Sequence, residues 1–143
     1  MKLEKDTPSN FLDMFDTEAA SESGSWLHLE RPDQRGVMCY LDKEKNAPCR
    51  IKLKGPDSDE WGAFTRKAQK ARGKKETRTN KEVALEESKL WSRMTIEIEN
   101  IPGYEKPDRN ALFEMYLKHK DMRQQSLYWV LNQENFIQTA EDD

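Results

Sequence analysis

Lys54-Gly55-Pro56-Asp57-Ser58-Asp59-Glu60-Trp61 separates two kinds of sequence. Before it, residues 50–54 alternate charged and apolar, the period of a half-buried strand. After it, Trp61, Phe64, Ala68 and Ala71 recur at steps of three and four, one stripe of a helix. Gly55 permits a φ closed to other residues and Pro56 lacks the N–H that a ladder needs, so the strand stops there. Asp57 is placed to accept from the free amides of the first helical turn, and Glu60 to reach back and complete a capping box. Asp57, Asp59 and Glu60 also suit the positive end of the helix dipole. This joint predicts a small sheet that hands over to helices.

Upstream, three strands are expected: 26–30, 36–42 with Val37, Cys39 and Leu41 on one face, and 49–54 with Ile51 and Leu53 inward. Pro32-Asp33 and Asn46-Ala47-Pro48 punctuate them. The simplest pairing is an antiparallel meander with one wet face, and such a sheet needs a helix across its dry face. The helix starting near Asp57 is the expected cover, through Trp61 and Phe64. Residues 1–24 read as a flexible polar arm. Phe11, Leu12, Met14 and Phe15 interrupt it, with Ser9 or Asn10 as a cap for a short turn. That patch suits either a bare arm or a docking peptide that folds on a partner.

Downstream, Gly73 is expected to end the helix, and Thr79 or Asn80 to cap a second one carrying Val83, Leu90, Trp91 and Met94. Thr95-Ile96-Glu97-Ile98-Glu99 fits two periods. Its alternation suits a strand, whereas Leu90, Met94, Ile98 and Ile101 continue the helix. Continuation is favoured, because a late strand has no evident partner. Pro102-Gly103 breaks the chain. Asp108 caps a third helix with Ala111, Leu112, Met115 and Tyr116 on its apolar side, and Asp121 caps a fourth with Met122, Leu127, Val130 and Leu131. Phe136 is a last anchor, and residues 138–143 a frayed acidic tail. The fold class is α+β: a small N-terminal antiparallel β-sheet of about three strands, then about four α-helices. It forms one domain over 25–137 with a basic linker around 72–80.

At 143 residues the chain suits a single domain, and with 36% charged against 35% hydrophobic residues its core must be small. The formal net charge of −3 gives no general drive toward nucleic acid. No stretch approaches the roughly 20 apolar residues of a membrane span. The N-terminus lacks the apolar centre of a signal peptide, so a cytosolic protein is expected. A turn near Lys45-Asn46-Ala47 would set Cys39 opposite about Lys52 and Cys49 opposite about Asp42, so these cysteines are expected reduced and unbridged. His28 and His119 are too far apart in sequence, and the cysteines too widely spaced, to suggest a metal site.

No phosphate loop, serine elbow or Cys–His pair appears, so neither catalysis nor a cofactor is expected. His119, near a helix C-terminus, reads as a solvated residue well placed for the dipole. The remaining feature is a basic run: Arg66, Lys67, Lys70, Arg72, Lys74, Lys75, Arg78 and Lys81. It could neutralise several phosphates, but it lacks the interleaved aromatics of a single-strand binder. Nucleic acid is therefore an unlikely partner, and a solvated surface the simpler reading.

Several short motifs together resemble the tail assembly chaperones of long-tailed, siphovirus-like bacteriophages. They are Gly55-Pro56-Asp57-Ser58, Leu90-Trp91, Asn110 through Tyr116, Met122-Arg123-Gln124-Gln125 and Glu134-Asn135-Phe136, spread over residues 25–137. The loop Ile101-Pro102-Gly103-Tyr104-Glu105 departs from the family pattern. The resemblance implies a non-enzymatic protein of the host cell cytoplasm that binds the tape-measure protein and helps recruit tail-tube subunits. A structural tail component, or a nucleic-acid-binding accessory protein using residues 66–81, are the alternatives, and self-association stays open. A chaperone of a long amphipathic chain needs exposed apolar surface. The candidates are Tyr116, Leu127, Tyr128, Trp129 and Leu131. Tyr128 and Trp129, adjacent on one helix, cannot point the same way.

Overall fold

The computed structural model describes residues 11–74 and 77–137. Helix α1 (Thr17–Ser23) leads into strands β1 (Ser25–His28), β2 (Glu30–Arg31), β3 (Gln34–Met38) and β4 (Arg50–Leu53). Helices α2 (Asp59–Gly73) and α3 (Asn80–Met94) follow, then strand β5 (Thr95–Glu99), helices α4 (Arg109–Lys118) and α5 (Lys120–Leu131), and a 3₁₀ turn, Gln133–Phe136. The expected cap at Ser9 or Asn10, the basic residue Lys75 and the acidic tail 138–143 lie outside the described residues.

The fold is a mixture of helices with a small antiparallel sheet, but the sheet is not the expected meander. Its order is β1-β4-β5, and β2 pairs with β3 in a separate two-stranded ribbon. Leu27 faces Ile51, and Ile51 faces Ile98. The expectation of helix over 95–99 is corrected. These residues form a strand, and the partner that sequence could not supply is the second edge of β4. Thr95 closes α3 by leaving the helical region (φ −80°, ψ 120°) while its hydroxyl donates to the Trp91 carbonyl at 2.7 Å. The β-branched residues Thr95, Ile96 and Ile98 then suit the pleated edge. On the wet face, Arg50 pairs with Glu99 across the strands and lies 4.3 Å from the centre of the Trp26 ring.

The second expected strand is also displaced. β3 ends at Met38, and Tyr40 pairs with Pro48 in an isolated bridge. The turn between them is held by Asp42, whose carboxylate accepts from the Asn46 and Ala47 amides at 2.9–3.0 Å. The Leu41 amide donates to Ala47, and Cys49 to Cys39 at 3.0 Å. Cys39 therefore sits beside Cys49 and not opposite Lys52, a correction of the register. Both thiols are free, and burial pushes both up from the usual thiol range.

Ile51, Leu53, Met94, Met115, Tyr116 and Val130 are wholly enclosed and Trp91 nearly so, in one cluster with Leu90, Leu112 and Phe136. The cover of the sheet is thus α3 backed by α4 and α5. The expected cover, α2, contains no buried residue. Trp61 and Phe64 only rest on the margin of the core, with the Trp61 ring centre 6.1 Å from that of Trp91. Residues 17–23 of the expected arm are instead folded onto the body of the protein. In α1, Ala20 and Ser21 are buried, and the Ser21 carbonyl accepts from Gly55 at 2.9 Å.

The opening joint works differently from its sequence reading. Ser58, not Asp57, caps α2, its hydroxyl oxygen accepting from the Trp61 amide at 3.4 Å. Asp57 instead donates its amide to the Ser21 hydroxyl, and Glu60 accepts from Lys54 at 3.1 Å in place of a capping box. Gly55 is needed for closeness. A Cβ there would lie 2.5 Å from the Phe136 ring and 2.6 Å from the Ser21 hydroxyl oxygen. Thr79, one of the two expected caps, closes the start of α3 and forms a capping box with Glu82 that the sequence reading did not name, and the Asp108 cap on α4 forms as expected.

Tyr116 is fully buried, and its hydroxyl meets that of Thr95 at 2.6 Å. Burial, against the opposing pull of its hydroxyl partners, pushes its pKa up to about 12. The folded state then holds its proton after the unfolded chain, near pH 10, has released it. Stability is whole below about pH 10 and is lost as pH climbs from there toward 12. Tyr116→Phe is expected to flatten this alkaline fall in melting temperature. A variant curve parallel to the wild-type curve would place the titration elsewhere.

Candidate protein-interaction site

Helix α5 carries four of the five candidate side chains, and its position is fixed by polar contacts from its first half. Asp121, the expected cap, does not cap it. The N-cap position is His119, with no side-chain cap bond. The Asp121 carboxylate is drawn instead to Arg35 of the β2–β3 ribbon and to the Gln125 amide, at 2.7 Å. Burial alone would raise the Asp121 pKa, but the Gln125 hydrogen bond and the Arg35 guanidinium outweigh it and hold the carboxyl below its usual range. Gln125, itself buried, accepts from the Glu30 amide and donates to the Glu30 carbonyl, each at 2.9 Å. It completes the backbone hydrogen bonding of a two-residue strand whose register shifts at that point.

Arg123 secures the other side. Its Nη1 donates to the carbonyls of Tyr116 at 2.7 Å and Leu117 at 3.1 Å, satisfying the C-terminus of α4. Its Nε lies 3.4 Å from Glu87 without hydrogen-bond geometry, so this is a charge contact only. His119 is exposed, with Nδ1 2.6 Å from the Met115 carbonyl, at the junction of α4 and α5.

On this fixed helix the five candidates divide. Tyr116, on α4, is fully buried and bonded to Thr95, so its assignment to a partner surface is corrected: it is core. Leu127 and Trp129 are half-buried and pack on the core margin. Tyr128 is 70% exposed and Leu131 57% exposed. Of the adjacent aromatic pair, then, Trp129 turns in and Tyr128 turns out. Sequence reasoning missed three further exposed apolar residues, Val37, Met38 and Leu41, on and just after β3. It took alternation there for a buried face, and the ribbon's separation from the main sheet was invisible in the pattern.

The basic run does not form one linker. α2 continues through Gly73, so Arg66, Lys67, Lys70 and Arg72 lie on that helix, with Lys74 just after it, all exposed. Arg78 is ion-paired with Glu86, and Lys81 opens the first turn of α3. Among the described residues no cluster of three or more metal-ligating side chains forms and no helix is long and apolar enough to cross a membrane. Comparison with known proteins gives no match: no family model, curated protein or solved structure aligns with the chain.

Proposed function

We propose that the protein is an assembly chaperone of long-tailed phages, acting in the host cytoplasm by protein–protein contact. It binds the tape-measure protein and helps recruit tail-tube subunits. The resemblance of residues 25–137 supplies the identity of the partners. The observation that carries the reading is the outer side of α5. Tyr128 and Leu131 are held out to solvent on a helix that Gln125, Asp121 and Arg123 fix in place. Large apolar side chains presented on a rigid helix act as anchors for an amphipathic partner, and a tape-measure chain is long, helical and amphipathic. The small-sheet-plus-helices arrangement is the frame for that surface.

The reading is tested by mass spectrometry of purified phage particles alongside infected-cell lysate. A chaperone is present in lysate, co-purifies with the tape-measure protein and is missing from finished particles. Recovery from particles at a fixed stoichiometry would make the chain a structural tail component instead.

A further inference from the structure

Two features far from α5 have no use in the proposed chaperone surface. The first is a cavity of about 410 Å³ between α2 and α3, a volume within the range of specific binding pockets. Its floor is apolar: Ala63, Phe64 and Ala68 from α2, and Leu90 from α3. Its rim carries both signs: Glu60 takes Lys54 and Glu86 takes Arg78, which leaves Asp59 as the rim acid without an ion pair among the described residues. Lys67, Lys89 and Arg93 pair with no carboxylate among the described residues, so three free cations outnumber that one free acid and the rim is net cationic.

The second feature is the segment Phe11-Leu12-Asp13-Met14-Phe15-Asp16. The Phe11 and Phe15 ring centres stand 5.2 Å apart, edge to face. Phe11, Leu12 and Phe15 are 53%, 67% and 68% exposed. Turn hydrogen bonds from Phe15 to Leu12 and from Asp16 to Asp13, both 3.0 Å, hold the segment in shape. It pairs apolar bulk with acidic charge, the complement of an apolar floor under a cationic rim.

We propose that the α2–α3 cavity takes the Phe11–Asp16 segment of a second copy of this chain. Phe11 and Phe15 lie on the floor at Phe64 and Leu90, and Asp13 meets Lys67, Lys89 and Arg93, while the Asp16 carboxylate stays on the Ala19 amide at 3.0 Å as the cap of α1. The chain's own segment is folded outside the cavity, which favours a second copy as the occupant: its turn bonds and the Asp16 cap on the Ala19 amide tie it to the start of α1, with Phe11 and Phe15 exposed. The other end of α1 is pinned at the cavity mouth, where Glu22 accepts from the Asp59 amide at 3.0 Å. Donor and acceptor surfaces differ, so the contact is head-to-tail, and each copy can both give a segment and receive one. This inference stands apart from the chaperone reading.

Sedimentation velocity of the full chain over a wide concentration range tests it. The wild type gains mass with concentration. Phe11→Ser/Phe15→Ser weakens association at least tenfold with an unchanged melting temperature, and so does Lys67→Glu/Lys89→Glu. Mixing the Lys67→Glu/Lys89→Glu chain with an Asp13→Lys chain restores association. A wild type that stays monomeric at every concentration would overturn the proposal. So would association that survives both variants, or a monomer whose cavity binds a short single-stranded oligonucleotide in a Lys67- and Lys89-dependent way.

Discussion

Trp91→Ala is expected to lower the free energy of unfolding by about 3–5 kcal/mol, the range for removing a large aromatic from a closed core. Small domains hold only about 5–15 kcal/mol in total, so the urea midpoint should fall steeply. Trp91 is 2% exposed in a core cluster that draws on the sheet and on α3, α4 and α5, with the Trp61 ring 6.1 Å away, so the hole it leaves is bounded by several elements that cannot all collapse into it. The useful comparison is Trp61→Ala, the residue that sequence periodicity named as the cover of the sheet. Trp61 is only half-buried on a helix with no enclosed residue, so its loss is expected to cost clearly less. Equal costs for the two would restore α2 as the cover and displace α3.

Gly55→Ala should destabilise by about 1–3 kcal/mol, as overpacking does. The new methyl would meet the Phe136 ring at 2.5 Å and the Ser21 hydroxyl at 2.6 Å. Phe136 is 3% exposed and cannot swing into solvent without losing its burial. Shrinking it should recover part of the loss: in a double-mutant cycle, Gly55→Ala with Phe136→Leu should cost less than the sum of the two. Additive losses would mean that the joint and the last 3₁₀ turn are not coupled through this contact.

The residues that sequence placed correctly are those whose signal is local. The Thr79 cap, the Asp108 cap and the inward pair Ile51 and Leu53 each follow from a few neighbouring side chains. The errors share the opposite property. Whether 95–99 is strand or helix depends on the free edge of β4, more than 40 residues away, and Ile98 satisfies both periods. Asp57 lost its cap to Ser58 because Ser21, from the presumed arm, claims the Asp57 amide. Asp121 lost its cap because Arg35 and Gln125 outbid the backbone for its carboxylate. Among the candidate site residues, the opposed directions of Tyr128 and Trp129 were legible from helix geometry alone. The burial of Tyr116 was not, because it depends on Thr95 arriving at the end of α3.

The most direct test of the proposed chaperone role is the affinity of purified Tyr128→Ser/Leu131→Ser for the tape-measure protein proposed as its partner, read against its melting temperature. Tyr128 and Leu131 are well exposed, so folding should be untouched while binding weakens at least tenfold, about 1.4 kcal/mol or more. Wild-type affinity in the double variant, or a melting temperature that falls along with the binding, would contradict the claim that this helix face exists to be covered by another chain.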